Sequence, residues 1–594
     1  MFKRGCPKCL GQPLFYYAPD PVLAYWVSCK SSRLLYGSCK DLLLLKGPLA
    51  VFLHNKIIER SCTFFLKYDI LNRLNGGTMN RKSGILLHPT SLPGPYGIGD
   101  IGAKAFSFID WLVLAGQKIW QVLPLGPTGY GDSPYASFST FAGNPLLVSF
   151  DKLIESGYLT DNDVADCPVP KAGDVDYGII IPWKFSKLHL AAQRFLNSKS
   201  SAAHEDFNHF KKEEAWWLDD YVLFMDIKEH FDKKAIAEGR FGAMWSNYWP
   251  KDLALRNDDA IQAWLQDSSH QASMEERRVI QYFFFKQWIA LKNYANSKGI
   301  SIIGDIPIFV AADSVDVWAN RHLFQIDENG QPIAVAGVPP DYFSATGQLW
   351  GNPLYDWKAH EKEGFAWWIR RIKGNMRLFD YLRVDHFRGF EAYWAIPFGN
   401  PTAEHGRWEK APGHAFFKKL KEELGDIPIL AEDLGFITDE VRDLRDSFGL
   451  PGMKILQFAF DANESGKGLN TLNGFLPHMY TPLSVVYTGT HDNDTMKGWL
   501  DKASTKEKEF IINYLGYQPD DMVKALIRLA ISSVSEFAII PMQDILGLGS
   551  EARMNTPSTL GINWKWRSKE TDYSNDNATF LKTLSHMYGR NIES

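Results

Sequence analysis

Three acidic residues of this chain each follow a short apolar run. Asp385 and Glu432 come directly after such runs, and Asp492 comes a few residues after a third. Buried parallel strands read as apolar runs, and the carboxyl ends of parallel strands meet at one face of a barrel. Two neighbouring carboxylates can cleave a glycosidic bond with retention of configuration. The pattern therefore predicts a barrel mouth with two acids for that chemistry and a third that manages the substrate.

Each acid taken alone also has a structural explanation, because an acid after an apolar run often caps a helix or forms a turn. The neighbouring residues favour the chemical interpretation. Arg383 and His386 flank Asp385, and His491 precedes Asp492. A cation close to Asp385 would favour its ionised form, so the set as a whole predicts a reactive site.

Apolar runs alternate with helical patterns along most of the chain after residue 83, which predicts a (β/α)8 barrel of the α/β class. The predicted strands are Gly84–His88, Ile119–Pro124, Ser301–Val310, Tyr381–Asp385, Ile427–Glu432, Lys454–Phe460, Val485–Thr490 and Phe537–Met542. The gap between the second and third strands is too long for one crossover. Residues 129–298 are therefore predicted to form a mostly helical inserted subdomain, and no separate C-terminal β-domain is predicted.

Two loops carry side chains suited to a polyhydroxylated ligand. After the second predicted strand, Ser133 and Tyr135 offer hydroxyls, although a turn-rich connection explains the same residues equally well. The Pro- and Gly-rich loop after the third strand offers Tyr342, Phe343 and Trp350. Aromatic side chains are usually buried, but at a catalytic face they would stack on a sugar and exclude water.

The charge and hydropathy of the chain argue against two other classes of protein. The formal net charge is -5 and no long basic run occurs after residue 78, which argues against a general nucleic-acid-binding protein. The apolar patches of the first 78 residues are too short to span a bilayer, so no membrane partner is predicted.

Residues 1–78 differ in composition from residues 79–594. They hold five of the 6 cysteines, and 11 Lys and Arg against 4 Asp and Glu. A basic, acid-poor segment is typical of a transit peptide, whereas translation that starts at Met79 would leave the segment unmade. The scarcity of cysteine after residue 78 suits a reducing compartment. The predicted location is the cytoplasm, or a plastid if the segment is a transit peptide.

Several short motifs of this sequence are recognisable together. They are Pro127–Tyr135, Pro307–Val310 with Asp313–Trp318, Arg383–Gly389, Ala431–Gly435, Gly489–Asp494 and Gly547–Pro557. These motifs resemble those of the 4-α-glucanotransferases, the amylomaltases or disproportionating enzymes of family 77 of the glycoside hydrolases. The resemblance extends from about residue 80 to about residue 588 and leaves residues 1–78 outside it.

The resemblance implies a (β/α)8 barrel, transfer of segments among α-1,4-glucans and maltooligosaccharides, and no metal or organic cofactor. It implies that Asp385 is the nucleophile, Glu432 the general acid and base, and Asp492 the carboxylate that holds the distorted sugar. The implied supporting and substrate-binding residues are Arg383 and His491, Asp305 at the third strand, Ser133 and Tyr135 on the donor side, and Tyr342, Phe343 and Trp350 in a lid.

Two alternatives remain open from the sequence. The first is an α-glucan hydrolase of the same fold, which differs only in whether water or a sugar accepts the glycosyl group. The second is a glucan-binding protein without activity, against which the three intact acids speak. The oligomeric state is not predicted.

Overall fold

The computed structural model describes residues 81–240, 242–340, 344–463 and 468–591. The predictions for residues 1–78, Tyr342 and Phe343 lie outside the described residues. In chain order the strands are β1 (Lys82–Leu86), β2 (Ile119–Gln121), β3 (Ser301–Pro307), β4 (Ala334–Val338), β5 (Gln348–Pro353), β6 (Tyr381–Asp385), β7 (Ala392–Pro397), β8 (Arg407–Lys410), β9 (Ile429–Ala431), β10 (Gly452–Ile455), β11 (Ser484–Tyr487) and β12 (Phe537–Pro541).

Eight strands close a parallel barrel in the order β1-β12-β11-β10-β9-β6-β3-β2, which confirms the predicted (β/α)8 architecture. These strands are apolar because side chains fill the barrel on one face and helices cover the other. A buried cluster drawn from several barrel strands includes Leu430, Met453, Tyr487 and Ile539. Two charged residues, Asp305 and Arg383, lie within β3 and β6.

Helices cover the outside of the barrel. In chain order they are α1 (Ala103–Leu114), α2 (Phe150–Glu155), α3 (Asp161–Val164), α4 (Tyr177–Leu196), α5 (Ser201–Ala237), α6 (Trp245–Tyr248), α7 (Lys251–Ala254), α8 (Asp258–Leu265), α9 (Ser268–Ser297), α10 (Val315–Ala319), α11 (Trp357–Lys362), α12 (Ala366–Leu378), α13 (Gly413–Leu424), α14 (Asp439–Ser447), α15 (Leu456–Phe460), α16 (Met496–Lys502), α17 (Thr505–Leu515), α18 (Met522–Ser532), α19 (Met542–Ile545) and α20 (Asn575–Met587). Helices α2 to α9 occupy the segment between β2 and β3, where the long helices α5 and α9 pack on each other.

A second sheet lies outside the barrel and was not predicted from the sequence. It is antiparallel, with strand order β5-β4-β7-β8. Its strands come from two separate crossovers, since β4 and β5 follow β3 whereas β7 and β8 follow β6. The 3-10 turn Phe387–Phe390, which continues from β6, contacts β7. The second sheet therefore stands beside the barrel mouth.

The sixth barrel strand is shorter than predicted. Strand β10 ends at Ile455, and Leu456–Phe460 form α15 instead of continuing the strand to Phe460. The prediction was wrong here because a short apolar run fits a buried strand and a buried helix equally well.

Candidate active site

The barrel brings the predicted acids to the carboxyl ends of neighbouring strands. Asp305 lies in β3, Asp385 is the last residue of β6, and Glu432 directly follows β9. His491 and Asp492 lie on the loop that follows β11. Since β3, β6 and β9 are adjacent in the barrel, their acids share one end of it.

Arg383 joins two of these acids. Its Nη1 atom donates to both carboxylate oxygens of Asp305 at 2.9 and 2.7 Å, and its Nη2 lies 2.9 Å from Oδ1 of Asp385. Arg383 and Asp305 are buried, whereas the Asp385 carboxylate is partly exposed. A buried charge that loses its partner costs about 3–5 kcal/mol, so Arg383 and Asp305 stay paired. The second terminal nitrogen of Arg383, Nη2, fixes the orientation of the Asp385 carboxylate.

A hydrogen-bonded chain connects Asp305 to Asp492. The Tyr135 hydroxyl donates to Oδ2 of Asp305 at 2.9 Å and lies 3.3 Å from Nδ1 of His491. The other ring nitrogen, Nε2, lies 3.3 Å from Oδ2 of Asp492. The rings of Tyr135 and His491 stack with centroids 4.8 Å apart. A hydroxyl oxygen and a carboxylate oxygen thus face the two ring nitrogens of His491, an arrangement that favours the cationic imidazolium.

His491 and Asp492, the neighbouring pair in that chain, have opposed pKa shifts. Burial would lower the pKa of His491, but the adjacent Asp492 outweighs burial and raises it. Partial enclosure in the cleft would raise the pKa of Asp492, but His491 and the amide of Asn555 hold it well below its usual range. Asp492 is therefore an ionised carboxylate that faces the cleft.

Glu432 has the opposite electrostatic character. Burial, together with the charge of Asp385, raises its pKa to about 7, although Arg383 opposes the shift. Its Oε2 accepts from the backbone N–H of His386 at 2.7 Å, and its Oε1 accepts from the N–H of Leu434 at 2.8 Å. Glu432 is therefore oriented by the main chain and can carry a proton near neutral pH.

The backbone of His386 explains how its N–H reaches Glu432. His386 has φ 51° and ψ 49°, a left-handed conformation that costs an L-residue about 1 kcal/mol or more. The hydrogen bond to Glu432 offsets part of this cost. Because His386 directly follows Asp385, one peptide unit ties the two acids together.

Ser133 and Trp350, two residues of the predicted substrate-binding set, contact neighbouring parts of the protein. The Ser133 Oγ accepts from the backbone N–H of Tyr135 at 3.2 Å, so the structure gives it a part in shaping the loop. Trp350 lies in β5, and its ring meets the ring of His386 edge-on with centroids 4.8 Å apart. Trp350 thus stands beside the turn that follows Asp385.

Sequence reasoning assigned no role to three residues that contact the site. Asn555 donates to Oδ1 of Asp492 at 2.6 Å, and Arg553 donates to the backbone carbonyl of Asp492. The ring centroid of Trp564 lies 5.9 Å from the ring centroids of both Tyr135 and His491. The motif Gly547–Pro557 contains Asn555 and Arg553, but only the fold shows which polar side chains of that motif reach the cleft.

The site holds one carboxylate paired with a guanidinium and one carboxyl whose pKa is about 7. A nucleophile that stays ionised and an acid that keeps its proton are the requirements of retaining glycosidic chemistry. A sequence model of the family described as 4-alpha-glucanotransferase matches residues 87–572. The chain belongs to the 4-alpha-glucanotransferase family.

Relatives of this glucanotransferase match nearly all of it beyond residue 80. A 4-alpha-glucanotransferase of Thermus thermophilus is 49% identical over 521 residues, which cover 86% of this chain and 99% of the relative. A chloroplastic/amyloplastic 4-alpha-glucanotransferase of Solanum tuberosum is 44% identical over 520 residues, with 86% of each chain covered. The glucanotransferase is therefore similar to bacterial and plant enzymes alike.

A solved structure supports the same assignment. An amylomaltase from Streptococcus agalactiae in complex with acarbose superposes with a TM-score of 0.80 at 41% identity, covering 86% of this chain and 99% of the amylomaltase. Within the described residues of the glucanotransferase, no helix has the length and apolar character needed to cross a membrane.

Proposed function

We propose that this enzyme transfers α-1,4-glucan segments by a double displacement in which Asp385 is the nucleophile and Glu432 is the general acid and base. The observation that carries the proposal is the contrast between the two carboxyls. The Arg383 guanidinium pairs with the Asp385 carboxylate at 2.9 Å, whereas burial and the charge of Asp385 raise the pKa of Glu432 to about 7.

In the first half of the reaction, Asp385 attacks the anomeric carbon of the donor sugar. Glu432 gives its proton to the leaving glycosidic oxygen, so the departing glucan leaves with a 4-hydroxyl. Arg383 keeps the attacking carboxylate aligned because its guanidinium is held by buried Asp305. The product of this half is a glycosyl ester on Asp385.

In the second half, Glu432 acts as a base. Esterification removes the charge of Asp385, one of the causes of the raised pKa of Glu432. Arg383 and the two backbone N–H groups remain and favour the carboxylate. The pKa of Glu432 therefore falls, and it can take the proton of the incoming 4-hydroxyl. Two inversions return the α configuration.

The donor sugar is proposed to lie against Asp492, His491 and Tyr135. An ionised Asp492 accepts hydrogen bonds from sugar hydroxyls, and cationic His491 keeps that carboxylate ionised. The stacked rings of Tyr135 and His491 form a wall of the cleft. Ser133 shapes the loop that carries Tyr135, and the aromatic residue Trp350 is proposed to belong to a lid with Tyr342 and Phe343.

A product ladder from maltotriose distinguishes transfer from the competing hydrolysis. Transfer gives glucose together with maltooligosaccharides longer than the substrate, and the number of reducing ends stays constant. Hydrolysis gives shorter products and a steady rise in reducing ends. A rise in reducing ends without longer chains would contradict the proposal.

We further propose that residues 79–594, with an inserted subdomain at 129–298, form the complete catalytic unit. The Thermus relative supports this, because 99% of its length is matched by 86% of this chain. The proposed location is the cytoplasm, or a plastid if residues 1–78 are a transit peptide. A chain that begins at Met79 should keep full transfer activity, and sequencing the N-terminus of the native protein tests the location. Loss of activity on truncation would contradict the proposed unit.

A further inference from the structure

Two exposed aromatic rings lie against one buried arginine outside the catalytic contacts. The ring of Phe436 is 71% exposed and that of Trp408 is 40% exposed, whereas Arg388 is only 5% exposed. The guanidinium carbon of Arg388 lies 3.9 Å from the ring centroid of Trp408 and 5.8 Å from that of Phe436. Neighbouring exposed rings on a soluble surface indicate a binding surface more often than isolated ones do.

These rings are held in place by the main chain. Arg388 donates to the backbone carbonyl of Phe436 and, from Nε at 3.4 Å, to that of Ala392. Trp408 lies on the edge strand β8, in register with Trp394 of β7, and the two indole rings are 5.3 Å apart. The exposed rings are therefore a preformed surface, which lowers the entropic cost of binding.

The position of the rings places them on one side of the catalytic acids. Arg388 is in the turn that follows Asp385, and Phe436 is in the loop that follows Glu432. In the barrel, β9 lies on one side of β6, and β3 lies on the other. The chain segments that carry the rings thus emerge from β6 and β9, whereas Asp305 and Tyr135 belong to β3 and the loop after β2.

That side is the acceptor side in the proposed reaction. Glu432 exchanges its proton with the 4-oxygen of the leaving or incoming sugar, so the acceptor must contact Glu432. Phe436 stands four residues after Glu432, so a glucan chain that extends from this sugar along the loop after β9 would meet its ring. The faces of aromatic rings suit the apolar faces of glucose units.

A groove is lined by residues that are close in sequence to Arg388, Trp408 and Phe436. It has a volume of about 510 Å³ and is lined by residues that include Phe390, Lys410, Pro412, His414, Asp439 and Asp443. Lys410 belongs to β8 with Trp408, and Asp439 begins the helix that follows Phe436. The charged side chains of the groove offer hydrogen bonds to sugar hydroxyls beyond the rings.

We propose that Trp408 and Phe436 form an acceptor platform, a surface that binds the glucan chain of long acceptors beyond the catalytic acids. The platform rests on the proposed transferase function and adds a preference for acceptor length. Glucose as acceptor does not reach the platform, whereas a maltooligosaccharide of several units does.

Acceptor kinetics test the platform directly. With maltosyl fluoride as donor, initial rates are measured against glucose and against maltohexaose for the wild type, Phe436→Ser and Trp408→Leu. The KM for maltohexaose should rise about tenfold in each variant, as expected for the loss of one stacking contact, and the kinetic constants for glucose should not change. Trp408→Tyr keeps a ring over Arg388 and should restore most of the affinity for maltohexaose.

Three outcomes separate the possibilities. Unchanged constants for maltohexaose in both variants would overturn the platform and leave another partner as the reason for the exposed rings. An equal loss for both acceptors at an unchanged thermal transition would also overturn it, because the catalytic acids would then be disturbed. A wild type that transfers to neither acceptor contradicts the transferase function itself. Tyr517→Ser, which removes an exposed ring on another surface, is the matched control.

Discussion

Glu432 accepts a 2.7 Å hydrogen bond from the backbone N–H of His386, the residue that directly follows Asp385. The proposed general acid is therefore tied to the peptide unit that follows the proposed nucleophile. The main chain at the end of β6 thus orients the Glu432 carboxyl next to the residue that carries the Asp385 carboxylate. His386 has a left-handed backbone conformation at this point, where the chain turns away from β6.

Replacement of the nucleophile should abolish transfer while the fold remains. In Asp385→Asn, the neutral amide cannot form the glycosyl ester, and kcat should fall by about 10⁴-fold or more. The measurement is transfer from maltotriose together with the thermal transition. Asp380→Asn is the matched control, because Asp380 stands just before the same strand and accepts from the N–H of Ile302. The control can lose stability but should keep its turnover, and near-normal transfer by folded Asp385→Asn would contradict the assignment.

Replacement of the acid should depend on the leaving group. Glu432→Gln should slow transfer from maltotriose by about 10²- to 10⁴-fold, the range of general acid catalysis. With maltosyl fluoride, formation of the glycosyl ester should be nearly unchanged, since fluoride leaves without a proton. Rapid-mixing measurement of fluoride release isolates this step. Equal slowing of ester formation from both donors would show that Glu432 acts in another way.

The pH dependence of kcat/KM should reflect the ionisation of Glu432. The reactive form of the free enzyme has Glu432 protonated, and its pKa is raised to about 7. As pH rises through about 7 the proton is lost, so kcat/KM for maltotriose should fall there instead of near the ordinary pKa of a glutamic acid, about 4.3. With maltosyl fluoride this alkaline limb should be absent from the rate of fluoride release. An alkaline limb at the same pH with both donors would show that a group other than Glu432 loses its proton there.

The position of the three acids near the carboxyl ends of barrel strands could be predicted from sequence, whereas the hydrogen bonds between them could not. Asp385 and Glu432 stand at the ends of apolar runs and Asp492 stands a few residues after one, and the parallel strands of a barrel bring such ends to one face. The contact of Tyr135 with both Asp305 and His491 joins three distant segments. No local pattern records such a contact, because it depends on loop conformation.

The second sheet could not be predicted from the sequence either. Strand β8 is short and mostly exposed, and it pairs with β7 across a loop, so neither its length nor its polarity distinguishes it from a turn region. In the sequence, Trp408 is a single aromatic residue within a polar segment. Its place beside Arg388 follows only from the pairing of the strands and from the turn that continues β6.

Removing the hydroxyl of Tyr135 should weaken catalysis more than folding. Tyr135→Phe takes away the donor to Asp305 at 2.9 Å and the contact with His491 at 3.3 Å. Hydrogen bonds to charged groups contribute about 1.5–3 kcal/mol, so kcat/KM should fall by about 10- to 100-fold. Tyr480→Phe removes a buried hydroxyl that donates to the Phe475 carbonyl at 2.7 Å, and this control should lower stability without a matching loss of activity. If both variants lose activity alike, the hydroxyl of Tyr135 has no particular part in the site.

Loss of the Asn555 amide should move the acid limb of the pH profile. Asn555 donates to Asp492 at 2.6 Å and, with His491, holds the pKa of Asp492 below its usual range. In Asn555→Ala that pKa rises, so Asp492 gains its proton at a higher pH as the solution is acidified. The acid limb of kcat/KM should therefore shift upward, with a loss of about tenfold at the optimum. Asn577→Ala removes a surface amide that donates to the Asp572 carbonyl and should leave the profile unchanged. An acid limb that stays in place in Asn555→Ala, with a lowered thermal transition, would mean that the amide only fixes the loop.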